Sequence, residues 1–192
     1  MIAVGSIFSI IASLWILPRN KLLEQPIDCL KEACLWLAVL QVVVSNLFVP
    51  RFRNSVFGIL ASGLGFLFFY SLAILFGAHV LERVEATVYG SLYLSLLVFY
   101  SAGFSLKLDS NSWMKSITLA RSSSVAERSV FVRFLFTLLG AWMGAILLPL
   151  DWQRSYIVTI SFIFSFLKKW PIPLIIGGQS GAILAIVMNS LF

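Results

Sequence analysis

Ionisable side chains are what this sequence has least of. Only 11% of its 192 residues are charged, against roughly a quarter in an ordinary soluble domain. It holds a single histidine, His79, and eight carboxylates scattered mostly over different polar connections. Metal-assisted phosphoryl or acyl chemistry needs several Asp, Glu, His or Cys side chains converging on one point. A two-metal site is not readily assembled from this set, so no catalytic residue, no metal site and no cofactor is expected. Cysteine is as rare: Cys29 and Cys34 stand five residues apart, on different faces of a helix. With no accompanying histidine or second cysteine pair, they read as ordinary thiols rather than metal ligands.

Hydrophobic residues make up the balance, at 60% of the chain, which is the composition of a membrane protein. The net charge of +6 comes from basic residues dispersed between apolar runs, so lipid headgroups rather than nucleic acid are the expected counter-charge. A helix needs about 20 apolar residues to cross the hydrocarbon, and roughly 17 suffice. By that measure Ile2–Leu17, Cys34–Val49, Ser55–Ala78, Thr87–Leu106, Val130–Leu150 and Ile172–Phe192 are candidate spans. Ile2–Leu17 lacks the basic start and the cleavage site of a secretory signal and is read as a retained first helix. Tyr156–Leu167 is too short to span comfortably and reads as an interfacial, re-entrant or strained piece. The expected fold is therefore an all-α polytopic membrane helix bundle, one domain over 1–192, of about six transmembrane helices with an extra short apolar segment before the last. In the one long polar connection, Lys107–Ser129, the residues Trp113, Met114, Ile117 and Val125 suit a short helix lying on the membrane. Basic residues divide almost evenly between the two sides, so charge leaves the orientation open.

Several small constellations remain. Gly140 and Gly144 form one GxxxG, Gly177 and Gly181 another with Gly178 between, and Ala61 with Gly65 gives a small-xxx-small pair. Such spacing lets helix backbones approach, within one bundle or against another membrane protein. Ser, Thr and Gln179 inside the apolar runs are suited to interhelical hydrogen bonds. Glu82 and Glu85 are three residues apart beside His79 and Arg83, a spacing that serves a proton or cation if the pair shares a helix face. A solvated turn is the plainer reading, and a lone His79 at a span end has no partner to orient it as a base. Arg133 falls about one turn inside its candidate span, close enough to the end to snorkel to the headgroups; a lipid phosphate and a buried partner are the alternatives. Between the last two spans, Pro149 is followed by Asp151, Trp152 and Arg154, and Trp170 and Pro171 open the final run. These read as a loop or headgroup contact anchored by belt tryptophans.

The strings GAWMGAILLPLDWQR and WPIPLIIGGQSG, together with Ile74-Leu75-Phe76-Gly77-Ala78 followed by Glu82 and Thr87, resemble the phosphatidylinositol-glycan class F (PIG-F) family. The resemblance runs from about Ala73 onward. It departs at Ser155–Lys169, which separates two motifs that usually lie closer together, and at His79 and Ala86, where the family often has proline and glutamate. The resemblance implies a non-catalytic accessory subunit of the endoplasmic reticulum membrane. Its implied partners are the class O and class G ethanolamine-phosphate transferases of glycosylphosphatidylinositol (GPI) anchor synthesis, which carry their own lumenal two-metal domain. The expectation is thus a subunit that stabilises such a transferase, with membrane lipids around it and no nucleic acid. A small lipid-handling or transporter-like protein using Glu82, Glu85 and Arg133 is the alternative. An intramembrane enzyme is the weakest reading, because no residues pair into a nucleophile and base.

Overall fold

The computed structural model describes residues 26–49, 52–75, 84–107, 109–117, 124–146 and 172–191. They form six helices: α1 (Pro26–Phe48), α2 (Phe52–Leu75), α3 (Val84–Leu106), α4 (Ser110–Ile117), α5 (Val125–Ile146) and α6 (Ile172–Leu191). No strand occurs among the described residues. Helices α2, α3, α5 and α6 are long and apolar enough to cross a membrane. The candidate span Ile2–Leu17 and the stretch Tyr156–Leu167 lie outside the described residues.

Helix α1 begins well before the apolar run that the sequence marks from Cys34. Its first turns hold Asp28, Lys31 and Glu32, which the hydropathy pattern assigned to a connection. Pro26 suits the first helical position, where no backbone donor is needed, and Asp28 complements the positive end of the helix dipole. Cys29, Leu30, Ala33, Cys34 and Leu37 form one buried stripe, while Glu32 and Asp28 stay exposed. An amphipathic opening turn therefore looked like a loop.

Helix α2 inverts the pattern of a helix in water. Its buried face is small and polar, made of Asn54, Ser55, Gly58, Ala61, Ser62 and Gly65 with Phe69. Ile59, Leu60, Leu64, Leu67 and Leu75 face outward. Lipid tails are as apolar as leucine, so burying leucine gains little there, and close backbone packing decides which face turns inward.

Helix α3 is the axis of the bundle. Tyr93 and Leu97 are fully buried, in one core with Leu37 of α1, Phe69 of α2, Ala141 of α5 and Ala182 and Ile186 of α6. Leu96–Tyr100 form a π-helical turn within it, a widening that breaks the regular ladder of backbone bonds. The chain then reverses at Lys107, which holds the left-handed φ of 58°, unusual for a residue with a side chain. The Lys107 carbonyl accepts the indole N–H of Trp113 at 2.9 Å.

Helix α4 is a short helix in the long connection, as expected there, although Val125 belongs to the next helix. Asp109 caps it: Oδ2 accepts the Ser112 backbone N–H at 3.2 Å and the Ser112 hydroxyl at 2.7 Å. Those bonds hold the exposed Asp109 carboxyl below the ordinary carboxylate range. Trp113 stacks on Phe99 at 5.9 Å and joins Ala102, Leu106, Ala126 and Val130 in a satellite cluster at the carboxyl end of α3.

Helix α5 also starts earlier than the apolar run. Ser124 and Glu127 form a capping box, the Glu127 N–H donating to Ser124 Oγ at 3.2 Å and the Ser124 N–H to Glu127 Oε2 at 3.3 Å. With the helix beginning at Val125, Arg133 lies in its third turn rather than its first.

Candidate functional site

Helices α5 and α6 meet along a seam in which glycine touches backbone. A Cβ placed on Gly140 would strike the Gly177 carbonyl oxygen and come within 3.2 Å of the Gly181 Cα; one on Gly177 would strike the Gly140 carbonyl oxygen and come within 3.2 Å of the Gly144 Cα. On Gly144 it would meet the Pro173 carbonyl, and on Gly181 the Phe136 carbonyl, with the Thr137 Cα at 3.1 Å. The two GxxxG motifs therefore face each other. Gly178 looks instead toward α3, where a Cβ would come within 2.5 Å of Leu94 Cδ2. Near the far end the Asn189 amide donates to the Ser129 carbonyl at 3.3 Å. These five glycines are thereby placed inside the chain's own helix pair and its contact with α3.

A second seam joins α2 to α3. A Cβ on Gly103 would come within 2.5 Å of both the Ala61 Cβ and the Phe57 carbonyl oxygen; on Gly65 it would run into the Phe99 ring. The pair Ala61 and Gly65 thus lies on the face that α3 fills.

Hydrogen bonds reinforce α1, α2 and α3. Gln41 Nε2 donates to the Leu96 carbonyl in the π-helical turn at 3.1 Å, supplying a partner from a neighbouring helix where the ladder is interrupted. Ser45 Oγ lies 3.1 Å from the Tyr100 hydroxyl, Asn46 Nδ2 donates to Ser55 Oγ at 2.8 Å, and Ser95 Oγ donates to the Ser62 carbonyl at 2.5 Å. Ser95 is one of the serines expected to bond between helices, whereas Gln41 and Asn46 are additions to that set. The signal was present, since each is a polar residue inside an apolar run, but nothing in the spacing names its acceptor.

Of the polar candidates, Glu85 and Arg133 are among the described residues, and they do not lie together. Glu85, in the first turn of α3, pairs with Lys31 at 3.3 Å; Asp28 lies 3.6 Å from the same ammonium, which sits 5.4 Å over the Tyr89 ring. Arg133 follows Val130, whose cluster lies at the opposite end of α3. Arg133 stands between Val130 and Thr137, and Thr137 lies beside Gly178, which faces Leu94; Glu85 is nine residues before Leu94, at least roughly 14 Å along α3, too far for the two side chains to pair directly. Arg133 is largely buried in the bundle: it is 7% exposed, and its Nε and Nη2 have no hydrogen-bond partner. His79, Glu82, Arg83, Asp151, Trp152, Arg154 and Trp170 lie outside the described residues. Cys29 and Cys34 are buried and unbridged, and the Cys34 thiol donates to the Tyr89 carbonyl at 3.4 Å.

Glycine seams between helices, large apolar residues facing outward and polar ladders inside define a polytopic membrane bundle held by close backbone packing. The family's sequence model matches residues 7–190. The chain belongs to the GPI biosynthesis protein family Pig-F. It is 30% identical over 112 residues to glycosylphosphatidylinositol anchor biosynthesis protein 11 of Yarrowia lipolytica, covering 58% of this chain and 44% of that protein. The human GPI ethanolamine phosphate transferase, stabilizing subunit, is 24% identical over 124 residues, 65% of this chain and 52% of that one. A Schizosaccharomyces pombe PIGF/3-ketodihydrosphingosine reductase fusion protein is 26% identical over 183 residues, 93% of this chain and 34% of the fusion. The chain spans about half the length of these relatives or less. No solved structure matches it.

Proposed function

We propose that this chain is a non-catalytic membrane subunit that binds and stabilises the catalytic subunit of a GPI ethanolamine phosphate transferase, in the endoplasmic reticulum membrane. The observation that carries the reading is family membership together with the human and mouse relatives, each named as the stabilizing subunit of that enzyme. The partners are transferases of class O and class G type. The glycine seams supply a rigid frame, and the outward rows on α2 (Leu60, Leu64, Leu67) and α5 (Leu139, Trp142, Met143) leave large apolar side chains for lipid or for a partner's helices. Asp151, Trp152, Arg154 and Trp170 serve as a loop or headgroup contact in this reading.

The test is a pull-down of the tagged chain from native membranes in a gentle detergent, with mass spectrometry of what accompanies it. A stoichiometric transferase, whose abundance falls when the chain is deleted, supports the assignment. Recovery of the folded chain alone, with transferase abundance unchanged on deletion, overturns it. Against the transporter-like alternative stands the pairing of Glu85 with Lys31, toward the other end of α3 from Arg133.

A further inference from the structure

We propose that Arg133 is the centre of a buried binding site for the phosphate group of a membrane lipid. Arg133 lies in the third turn of α5, 7% exposed, with Nε and Nη2 unbonded. Those two nitrogens form one edge of the guanidinium, the fork that takes two oxygens of a phosphate or carboxylate at once. One turn further along the same face, fully buried Thr137 has an Oγ1 with no hydrogen-bond partner. A buried cation with two unbonded donors is costly, and such groups are retained within membranes where a ligand or pathway uses them.

The chain's own described carboxylates do not meet this demand. Asp28 and Glu85 attend Lys31, Asp109 caps α4, Glu127 belongs to the capping box of α5, and Glu32 stands exposed on α1. The facing parts of α3 and α6 carry no acidic residue. On either side of Arg133 along the face, Val130 packs with Ala102 and Leu106 of α3, and Thr137 lies beside Gly178 of α6. The position is therefore flanked by this chain's own helices, where a narrow headgroup fits more readily than a rigid helix from a partner.

Depth favours a lipid as the source. Arg133 is eight residues past Val125, about 12 Å along the helix axis. Its Cβ leans back toward the amino end, where Arg128 is exposed and the polar helix α4 lies, residues suited to headgroup level. A headgroup phosphate, tethered by its acyl chains, is held at the interface, toward which the long arginine side chain can extend; free phosphate stays in bulk water.

The full chain, purified in a phosphate-free maltoside micelle, is titrated with phosphatidylinositol, with diacylglycerol lacking the phosphate, and with inorganic phosphate. Retained lipid is read by native mass spectrometry and stability by thermal unfolding. The wild type is expected to retain phosphatidylinositol and to unfold at a higher temperature with it, and to gain neither from diacylglycerol nor from inorganic phosphate. Arg133→Met is expected to lose about tenfold or more of that retention while being no less stable than wild type in the lipid-free micelle. Equal lipid stabilisation of both proteins overturns the proposal, as does an equal response to diacylglycerol. Stabilisation by inorganic phosphate alone overturns the lipid source. Should Arg133→Met not fold, Arg133→Lys keeps the charge but not the fork, and full lipid retention by it overturns the site. Loss of a co-purifying transferase from Arg133→Met with lipid retention intact replaces the lipid by a partner's carboxylate. Because the lipid-retention and unfolding assays use the chain alone, their failure is separable from failure of the transferase assignment.

Discussion

Substitution of Gly177 by alanine, set against the same change at Gly63, tests whether the α5–α6 seam holds the bundle together. A methyl group at Gly177 would collide with the Gly140 carbonyl oxygen and lie 2.9 Å from its carbon. Backbone atoms on a packed helix have no rotamer with which to yield, so the cost falls toward the upper end of the 1–3 kcal/mol typical of overpacking, about 3 kcal/mol. Alanine recovers about 1 kcal/mol of helix propensity over glycine, leaving a net loss of about 2 kcal/mol. At roughly 2–4 °C per kcal/mol for a chain of this size, the midpoint of thermal unfolding should fall by about 4–8 °C. At Gly63 the added methyl meets nothing within 4 Å, so only the propensity gain of about 1 kcal/mol remains and the midpoint should hold or rise by a few degrees. Both proteins are followed by thermal unfolding in the same detergent. Equal midpoints for the two variants would refute the seam. Because Gly140 and Gly177 obstruct the same approach, the double alanine variant should cost less than the sum of the two single ones.

Ser124→Ala removes one half of the capping box on α5 and should cost about 1 kcal/mol, read as a lowered unfolding midpoint. Gln41→Leu removes the donor to the Leu96 carbonyl, and with interhelical bonds in membranes averaging about 0.6 kcal/mol, a loss below about 1 kcal/mol is expected in the same assay. Lys31→Ala breaks exposed pairs with Glu85 and Asp28; the change should stay under about 1 kcal/mol and shrink further in salt. The Asp109 carboxyl sits below its ordinary range because the Ser112 hydroxyl and backbone N–H donate to it. Its folded-state value is depressed, so its stabilising effect is full above the unfolded carboxylate value and is lost as pH falls through the lowered one. Hydrogen exchange across Ser110–Ile117 should accelerate in acid beyond the intrinsic pH effect, and Asp109→Asn should abolish that dependence.

The sequence by itself determined the class of the protein and most of its helices. Long apolar runs leave the backbone no way to satisfy its polar groups in lipid except as helices, and four of the runs coincide with helices long enough to cross. The glycine spacings on α5 and α6 were also legible, because a GxxxG is a statement about one helix face. That the two motifs face each other, while Gly178 turns to Leu94 of α3, was decided only when the helices packed. Helix beginnings were misplaced where polar residues fall on the outer side of an amphipathic turn, as with Asp28 and Glu32, or inside a capping box, as with Glu127. Arg133 shows the limit most clearly. Hydropathy measures distance along the chain from an apolar boundary, and by that measure an arginine near the end of a span snorkels. Whether its guanidinium reaches water depends on where the helix truly starts and on which neighbours enclose it, and only the tertiary structure fixes those.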